Sequence, residues 1–497
     1  MTRDATTIGA GLAPPRDARP IRPGERIHVV GAAGAGASAA ALLAVAAGAV
    51  VTACDAGGAS PYSEAFDAAG IELITGHDAS HVTADPRPDR LAVTKALTAI
   101  EPDNAELAAA RERGIPVEAW QQVIADAAHG RTLVAVAGTH GKSTTSGWLV
   151  HLLVEAGMDP SAFVGALLPS ESTGGSPATA RTGQGTAFVV EADEYAGNFD
   201  AYRPSIAVLT SVEWDHPDVF ADDAAVRATF EGWLAGVPGD GTIVANIADE
   251  GVAAVVQGRP LRGRVLRVGL DATDADIRGR ISAADPDGTT LDLQGLDGDS
   301  VTVRLPTAGR HNAANAMTVA GAAVALGVPT KDIVRGLQTF RGVCRRLERK
   351  GEAAGVVVYD DYGHHPTAIR ETIAAIRQRE PGRRIWAVYE PLTYHRTAAL
   401  GAAFATSLAT ADAVAIADIW AGRDPDTTIA SAAGLATLVA DARPGITASA
   451  PGSVEATADW LARNVREGDA VLVMGGGRSY RIATGLLERL QGGDARR

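Results

Sequence analysis

Lysine is rare in this chain of 497 residues, because Lys95, Lys142, Lys331 and Lys350 are the only four among 45 basic residues. Arginine is therefore the default cation of the protein. A lysine in the middle of a glycine-rich turn, as Lys142 is, indicates a local requirement for that side chain rather than chance.

The chain also contains few cysteines and fewer basic than acidic residues. The chain has 2 cysteines, Cys54 and Cys344, and neither belongs to a Cys-x-x-Cys pair, so no disulfide framework or zinc knuckle is indicated. The formal net charge of −14 argues against a nucleic-acid partner and against a basic membrane-binding patch. This cysteine usage is typical of a reducing compartment, and we expect a cytoplasmic protein.

Charged side chains are absent altogether over residues 28–54, where no Asp, Glu, Lys or Arg occurs. The stretch is long enough to cross a bilayer, but it is mostly Ala and Gly, and its glycines cluster at its start. We therefore expect a glycine turn, a buried helix and a strand rather than a membrane insertion. The first 24 residues are rich in Pro and Arg, and we expect a disordered tail over 1–24.

The sequence VAVAGTHGKSTTS, over residues 134–146, has the order of a β-strand, a glycine turn, Lys-Ser and a helix. Backbone N–H groups of such a turn and of the helix N-terminus form an anion cradle. The lysine adds a positive charge, and the hydroxyl after it can ligate Mg²⁺. The pattern predicts binding of ATP and Mg²⁺ by Gly138, Thr139, His140, Gly141, Lys142, Ser143 and Thr144.

Acidic residues and a histidine end two further predicted strands. The strand TAFVVEAD carries Glu191 near its end, and IAVLTSVEWDH ends in His216. Because the carboxyl ends of parallel strands meet at one sheet edge, we expect Ser143, Glu191 and His216 to converge as Mg²⁺ ligands, although histidine is an unusual one. Taken singly, Glu191 is equally explained as a helix-capping charge and His216 as a solvated loop residue.

Alternating strand and helix patterns predict an α/β protein with three domains after the tail. We expect a Rossmann-like domain over 25–122, a central P-loop ATPase-type domain with a mostly parallel sheet over 123–328, and a Rossmann-like C-terminal domain over 329–497. Turn signals between short alternating runs predict antiparallel hairpins over roughly 276–305.

The first domain opens with a dinucleotide-type arrangement. Gly31, Gly34 and Gly36 follow the first strand, and Asp55 ends the second. The spacing is imperfect, and a tight turn without a ligand explains it equally well.

Six motifs occur in order along the chain: GTHGKST, EADEY, VEWDH, GRHNAANA, GVCRRLE and DDYGHHPT. Together they resemble the motifs of the Mur ligases, the ATP-dependent amide-forming enzymes of peptidoglycan synthesis. The resemblance implies that the first domain binds the UDP part of the substrate, the second binds ATP and the third brings the amino acid. The implied positions are Gly31, Gly34 and Gly36 at the diphosphate, Asp55 at the uridine ribose, His311, Asn312 and Asn315 at the ATP nucleotide, and Asp361 at the ATP ribose.

The resemblance also implies a reaction. ATP would phosphorylate the carboxylate of UDP-N-acetylmuramate, and the amine of L-alanine would then displace phosphate from the acyl phosphate. Lys142 and Mg²⁺ would neutralise the transferring phosphoryl group, with Glu191 and His216 counted among the catalytic residues. Arg345 on the substrate side and Arg346 on the ATP side would bind phosphate or carboxylate oxygens. His364 or His365 would position the acceptor or take its proton. Arg396 would bind the carboxylate of the acceptor.

Departures from the family pattern leave the identity of the amino-acid acceptor undecided at the level of sequence. Thr393 stands where a first arginine is expected ahead of Arg396, and Arg478 follows three glycines where another sequence is usual. A sibling enzyme that recycles murein tripeptide therefore stays an alternative. No lysine lies between Lys142 and Lys331, so the carbamoylated lysine of the ligases for later residues has no counterpart here, which favours the alanine step.

Two alternatives come from other classes of protein. One is an NAD-linked dehydrogenase built on the first glycine turn, which would leave residues 138–216 unexplained. The other is a catalytically silent homologue that binds a UDP-sugar. The oligomeric state is expected to be a monomer or a homodimer.

Overall fold

Three separate β-sheets follow one another along the chain in the computed structural model, which describes residues 8–297, 299–422, 424 and 426–494. The sheets have five, ten and six strands, and helices cover them. This confirms the expected α/β fold with three successive layers. Within the described residues, no helix combines the length and the apolar character needed to cross a membrane.

The first sheet is entirely parallel, with the strand order β3-β2-β1-β4-β5. Its strands are β1 (Arg26–Val30), β2 (Val50–Asp55), β3 (Leu73–Thr75), β4 (Arg90–Val93) and β5 (Val117–Ala119). Its helices are α1 (Ala35–Ala46), α2 (Phe66–Ala69), α3 (Ser80–Thr83), α4 (Lys95–Ile100), α5 (Ala105–Glu112) and α6 (Trp120–Ala127). The uncharged stretch 28–54 thus forms most of β1, the glycine turn, α1 and most of β2.

The segment before the first sheet is packed where the structure describes it, which corrects the expectation of a disordered tail. Ile8 and Ile21 are buried. The Arg16 guanidinium lies 2.8 Å from Glu118 and 2.8 Å from Asp126, so its ion pairs fasten this segment to β5 and α6. Composition alone missed these partners because they lie about a hundred residues away along the chain. Residues 1–7 of the predicted tail lie outside the described residues.

The central sheet has the order β15-β14-β13-β12-β11-β10-β6-β9-β7-β8. Its strands are β6 (Thr132–Ala137), β7 (Ser161–Leu168), β8 (Ala178–Arg181), β9 (Ala187–Ala192), β10 (Ile206–Leu209), β11 (Thr242–Asn246), β12 (Arg264–Leu270), β13 (Ile277–Asp285), β14 (Gly288–Leu296) and β15 (Asp299–Leu305). Its helices are α7 (Lys142–Glu155), α8 (Ser170–Thr173), α9 (Asp223–Leu234), α10 (Glu250–Gly258), α11 (Arg310–Ala325) and α12 (Thr330–Thr339). Strands β13, β14 and β15 pair antiparallel, as the turn signals predicted.

The third sheet has the order β16-β17-β21-β18-β19-β20, and only the β16–β17 pair is antiparallel. Its strands are β16 (Glu348–Ala353), β17 (Val356–Asp361), β18 (Arg384–Glu390), β19 (Ala413–Ala417), β20 (Thr447–Gly452) and β21 (Asp469–Gly475). Its helices are α13 (Pro366–Arg379), α14 (Tyr394–Leu408), α15 (Ala432–Ala442), α16 (Val454–Asn464) and α17 (Tyr480–Asp494).

The structure places both predicted domain boundaries differently. The boundary at 122/123 cuts through α6, whose buried residues Val123 and Ile124 join the apolar core next to α1. The boundary at 328/329 detaches α12, yet Ile333 and Leu337 pack into the core of the central domain. The tertiary partners of a helix decide its domain, and the local pattern near a linker does not reveal them.

The first and central domains share a continuous apolar core. Helix α1 is rich in Ala, so it approaches β7 and β8 closely, and Ser38 Oγ lies 2.9 Å from Thr179 Oγ1 in this buried contact. The Trp120 ring packs edge-on against Phe163 across the same interface, at 5.3 Å between ring centres. The interface holds the glycine turn of the first domain near the central sheet.

Candidate active site

The turn between β6 and α7 can be built only with glycine at two positions. Gly138 has φ 140° and Gly141 has φ 80°. A Cβ at Gly138 would lie 2.2 Å from Thr210 Oγ1, and one at Gly141 would lie 2.4 Å from Asn315 Oδ1. The neighbouring strand end braces the turn, because Thr139 N donates to Ser211 O at 2.9 Å. The first N–H groups of α7, which have no intrahelical partner, are left to receive an anion.

Lys142 opens α7 with its side chain folded back over the turn. Its Nζ lies 2.5 Å from the Gly138 carbonyl oxygen, 3.1 Å from Glu194 and 3.5 Å from Asp193. Burial alone would lower the pKa of Lys142, but Glu194, Asp193 and Glu191 raise it above its usual value, so the ammonium stays charged. The lysine is thus held by protein groups that phosphate oxygens would replace.

Two acidic clusters flank the turn. Glu191 accepts hydrogen bonds from Ser143 Oγ at 3.0 Å and from Gly165 N at 2.7 Å. His216, at φ 55°, lies with Asp193 and Glu194 in a group whose ligand atoms are all within 4.8 Å of one another. Burial lowers the pKa of His216, so the ring is neutral and able to bind a metal.

The predicted Mg²⁺ ligands therefore lie in one cavity of about 340 Å³ but in two clusters. Ser143 and Glu191 form a hydrogen-bonded pair of oxygen donors, whereas His216 is grouped with Asp193 and Glu194. Hard oxygen donors of this kind suit Mg²⁺. The sequence motif EADEY contained Asp193 and Glu194, but their proximity to Lys142 became evident only in the structure.

A second cavity, of about 230 Å³, lies on the other side of the turn between the central and C-terminal domains. His140, Gly141, His311, Asn315 and Asp361 line it together with Asn312 and Arg346. In the described structure, His311 Nδ1 and Asn246 Oδ1 are buried there without a hydrogen-bond partner. The lining of this cavity is rich in polar side chains, which suits a polar ligand.

Asp361 is fixed at the mouth of this second cavity. Its carboxylate accepts hydrogen bonds from Leu347 N and Gly363 N, each at 2.7 Å. Arg345 and Leu347 on the same loop have positive φ values of 58° and 52°, an uncommon conformation for residues other than glycine. Such strain is tolerated where the surrounding structure determines the backbone, and it clusters at functional sites.

A third cavity, of about 580 Å³, receives residues from all three domains. The first domain contributes Gly34 and Tyr62, and the C-terminal domain contributes Arg345, Arg346 and Arg478. Arg345 is braced within its own domain, since its Nη2 donates to Gly475 O at 2.8 Å and its Nε to Asp360 at 3.2 Å. This cavity is the most cationic of the three.

Arg346 lines all three cavities. Its Nη2 donates to Ser143 Oγ at 2.8 Å, and its guanidinium lies 4.9 Å from the centre of the Tyr362 ring. The residue thus connects the C-terminal domain to the first turn of α7. A planar guanidinium at such a junction can hold oxygens of two ligands at once.

The two histidines before α13 have different surroundings. His364 lines the 340 Å³ cavity, and its Nδ1 lies 2.9 Å from the Tyr362 carbonyl oxygen. Because a carbonyl only accepts, Nδ1 carries the proton and Nε2 keeps a free lone pair. His365 caps α13 and is buried beside His140, and burial lowers its pKa to about 4. Both rings are therefore neutral at pH 7, since burial lowers the pKa of His364 as well.

Arg396 is buried in an ion pair between domains. Its Nη2 lies 2.8 Å from Asp215 Oδ1 and 3.1 Å from His216 Nδ1. An acceptor carboxylate can reach this guanidinium only beside or in place of Asp215. Thr393 caps α14 with φ 64°, and Arg478 is an exposed residue of the 580 Å³ cavity, which Arg396 does not line.

Three of the residues predicted for the UDP end have structural roles in the turn. A Cβ at Gly36 would lie 2.1 Å from the Trp120 ring, and one at Gly31 would lie 2.9 Å from Thr94. The Asp55 carboxylate accepts from Ala33 N at 3.1 Å and Gly57 N at 2.8 Å, so it shapes the turn. Of the predicted glycines, Gly34 is the one that lines the 580 Å³ cavity.

A lysine-bearing phosphate turn in the central one of three α/β domains is typical of a nucleotide-binding enzyme. Family models agree with this architecture along the chain. They match the Mur ligase family catalytic domain over residues 26–132, the Mur ligase middle domain over 136–323 and the Mur ligase glutamate ligase domain over 345–477. The chain belongs to the Mur ligase family.

One similar protein is the UDP-N-acetylmuramate–L-alanine ligase of Kineococcus radiotolerans, which is 40% identical over 457 residues covering 91% of this chain and 93% of that protein. Two solved structures are similar over 94% of this chain and 99% of theirs. The murein peptide ligase of Psychrobacter arcticus has 26% identity and a TM-score of 0.71. The UDP-N-acetylmuramate–alanine ligase of Thermotoga maritima has 22% identity and a TM-score of 0.75, which supports the fold.

Proposed function

We propose that this protein is an ATP-dependent ligase that joins L-alanine to the carboxylate of UDP-N-acetylmuramate. The observation that carries the proposal is the meeting of three cavities at Arg346, beside the phosphate turn. Such a ligation needs three ligands with their reacting ends together, and the relative from Kineococcus radiotolerans is named for this reaction. We assign the 580 Å³ cavity to the UDP-sugar, the 230 Å³ cavity to the nucleotide of ATP and the 340 Å³ cavity to the reacting groups and acceptor.

The first chemical step transfers a phosphoryl group. A carboxylate oxygen of the sugar attacks the γ-phosphorus of ATP, and the bond to the bridging oxygen of ADP breaks. Lys142 and the N-terminus of α7 stabilise the charge on the equatorial oxygens, and Arg346 orients the attacking carboxylate. Positioning supplies much of the acceleration, because both reactants are held at one point.

The second step forms the amide. The amine of L-alanine attacks the acyl carbon, a tetrahedral intermediate forms, and phosphate leaves with the bonding electrons of the carbon–oxygen bond. The amine must lose a proton, and the free Nε2 lone pair of His364 is placed to accept it. His365 stays neutral and holds the start of α13 against the central domain, where its Nε2 lies 3.3 Å from Trp214 O.

Mg²⁺ belongs to this proposal as the ion that neutralises the phosphate charges. The oxygen donors Ser143 and Glu191 fit it, and Asp193, Glu194 and His216 form the second group able to hold a cation. We also propose that the protein acts in the cytoplasm, consistent with two free cysteines, and that it is a monomer or a homodimer. Light scattering of the purified chain tests the oligomeric state.

The decisive assay follows ADP release by the purified chain with ATP, Mg²⁺, UDP-N-acetylmuramate and L-alanine. We expect release to require both the UDP-sugar and the amino acid. Binding of the UDP-sugar without any ADP release would instead support the catalytically silent homologue. Binding of NAD(H) with no response to ATP would support the dehydrogenase.

Arg396 tests the acceptor end of the proposal. Arg396→Lys keeps the charge opposite Asp215 but loses the planar fork, so we expect a raised KM for L-alanine and a nearly unchanged KM for ATP. Arg396→Ala should give a larger rise, together with a loss of stability, because Asp215 is left as an unpaired buried charge. Unchanged kinetics for L-alanine in Arg396→Lys would remove this residue from the acceptor site.

A further inference from the structure

A cluster of metal-binding side chains lies in the first domain, outside the cavities described above. It consists of His28 on β1, Cys54 on β2, His81 on α3 and Glu106 on α5. Their ligand atoms all lie within 4.8 Å of one another. His28, Cys54 and Glu106 are fully buried. One of the chain's 2 cysteines and two of its 11 histidines thus meet at one buried carboxylate.

The donor atoms are packed somewhat more tightly than the ligand atoms of a tetrahedral metal site. Zinc binds sulfur at about 2.3 Å and nitrogen or oxygen at about 2.0–2.2 Å, so neighbouring ligand atoms of a tetrahedral site lie roughly 3.3–3.7 Å apart. Cys54 Sγ lies 3.2 Å from either oxygen of Glu106, and His28 Nε2 lies 3.7 Å from Glu106 Oε1. His81 Nδ1 is closer to Glu106, at 2.5 Å, so its ring must move away from the carboxylate to admit an ion.

One donor atom of the cluster has no partner. His28 is 0% exposed, and within the described part of the chain its Nε2 makes no hydrogen bond. Its other ring nitrogen, Nδ1, lies 2.8 Å from Thr52 Oγ1. When Nδ1 donates to this hydroxyl, Nε2 directs a lone pair into the cluster, which is how outer hydrogen bonds orient metal-binding histidines.

The charges of the cluster also balance around a divalent cation. Burial and the Glu106 carboxylate raise the pKa of the Cys54 thiol, so the sulfur is protonated without a metal. A bound ion would release that proton to solvent, as metal binding to thiols does. One thiolate, one carboxylate and two neutral imidazoles then neutralise a charge of +2, and no net charge is buried.

We propose that His28, Cys54, His81 and Glu106 form a structural Zn²⁺ site in the first domain. Sulfur and nitrogen donors favour Zn²⁺ over Mg²⁺, and four protein ligands leave no open position, as in structural zinc sites. His77 lies at the edge of the cluster, with Nδ1 3.3 Å from Cys54 Sγ, and its partial exposure together with that of His81 gives an entry path.

The site would anchor the glycine turn of the same domain. The Cys54 carbonyl oxygen accepts hydrogen bonds from Gly31 N at 2.9 Å and Ala32 N at 3.0 Å. A metal bound to the Cys54 side chain would therefore hold in place the residue whose carbonyl oxygen accepts hydrogen bonds from the glycine turn. The role is structural, and it does not depend on the proposed ligase reaction.

The test uses the full-length protein stripped of metal by a chelator and titrated with Co²⁺. We expect one equivalent of Co²⁺ to produce a thiolate-to-cobalt charge-transfer absorption that Zn²⁺ abolishes. Cys54→Ser should lose this absorption and bind Zn²⁺ on the order of 100-fold more weakly or worse, since loss of even an outer-shell partner costs 10- to 100-fold. Cys344→Ser is the matched control and should retain the absorption, because Cys344 lies outside the cluster.

A second measurement does not depend on the variants folding. Zn²⁺ should raise the thermal unfolding midpoint of the stripped wild-type protein, because an ion that binds only the folded state stabilises it. The proposal is overturned if the wild type binds Co²⁺ without a thiolate absorption, which would place the ion at oxygen donors such as Asp193 and Glu194. It is equally overturned if Cys54→Ser keeps the absorption or if Zn²⁺ leaves the midpoint of the wild type unchanged.

Discussion

The chain contains two glycine turns of the same design, and they differ in where their positive charge comes from. The turn between β6 and α7 carries its own cation, Lys142, within the sequence that forms it. The turn between β1 and α1 has no charged residue over 28–54, and the cations that share a cavity with Gly34 are Arg345, Arg346, Lys350 and Arg478 of the C-terminal domain.

Anion binding at the central turn is therefore a local property of that turn. Anion binding at the first turn depends on the position of the C-terminal domain. A phosphate at the central turn meets a lysine whatever the C-terminal domain does. The cations that line the cavity at the first turn all belong to the C-terminal domain, which lies across this turn in the structure. Anion binding at the first turn and closure of the C-terminal domain should therefore stabilise each other.

The largest effect is expected when the lysine of the central turn is removed. Lys142→Ala should lower ligation on the order of 10³-fold or more, because the lysine stabilises the transferring phosphoryl group. Calorimetry should show that UDP-N-acetylmuramate still binds, since its cavity draws on other cations. The control is Lys331→Ala, which removes an exposed lysine of α12. Turnover of Lys142→Ala within tenfold of wild type would contradict the assignment.

Glycine substitutions in the two turns should affect different kinetic parameters. Gly141→Ala forces φ 80° on a side chain whose Cβ would lie 2.4 Å from Asn315 Oδ1, so Asn315 or the start of α7 must shift. We expect a loss of activity of roughly 10²-fold, as for other small displacements of reacting groups. At Gly34 the nearest atom to a new Cβ is Gly31 O at 3.6 Å, so Gly34→Ala should fold normally and raise only the KM for the UDP-sugar. Equal effects of the two variants on both substrates would remove the distinction between the turns.

Arg478 tests whether the C-terminal domain supplies charge to the first turn. The residue is exposed on the 580 Å³ cavity, so its removal leaves no buried partner unpaired. We expect Arg478→Ala to raise the KM for UDP-N-acetylmuramate roughly tenfold, as for one charge-assisted contact, with the KM for ATP unchanged. Arg481→Ala, in the first turn of α17 and outside the cavity, is the matched control. If both variants behave alike, the charge of Arg478 is not used.

The smallest effect is expected at the metal ligands. Glu191→Gln and His216→Asn should each raise the Mg²⁺ concentration needed for half-maximal activity several-fold while the fold persists. Asparagine is chosen at residue 216 because it tolerates the positive φ of 55° found there. His129→Asn, at an exposed position of the first domain, should leave the titration unchanged. A residue whose replacement does not move the Mg²⁺ titration is not a ligand.

The parts of the site that come from one contiguous segment could be predicted from the sequence. The parts that come from residues distant in the sequence could not. The phosphate turn with Lys142 was predictable because strand, glycines, lysine and helix are contiguous, and the structure places Gly138 and Gly141 where only glycine fits. The position of Asp361 beside His311 came from the family resemblance, and both residues line one cavity.

The contacts that the sequence did not reveal all involve partners that are distant in the sequence. Gly36 was predicted at the diphosphate, and the structure adds that the Trp120 ring, eighty-four residues away, leaves no room for a side chain there. Arg396 reads as an open cation until the structure pairs it with Asp215. The tail reads as disordered because its partners, Glu118 and Asp126, lie about a hundred residues further on. Sequence patterns report local geometry, and these contacts depend on tertiary packing.

The most direct test of the account is the mass of the product formed in competition. The purified chain is given ATP, Mg²⁺ and UDP-N-acetylmuramate together with equal concentrations of L-alanine and murein tripeptide, and the products are identified by mass spectrometry. The account predicts a product whose mass equals the UDP-sugar plus L-alanine minus one water, formed with one ADP and one phosphate. A product containing the tripeptide as the main species would contradict it and assign the chain to the recycling reaction.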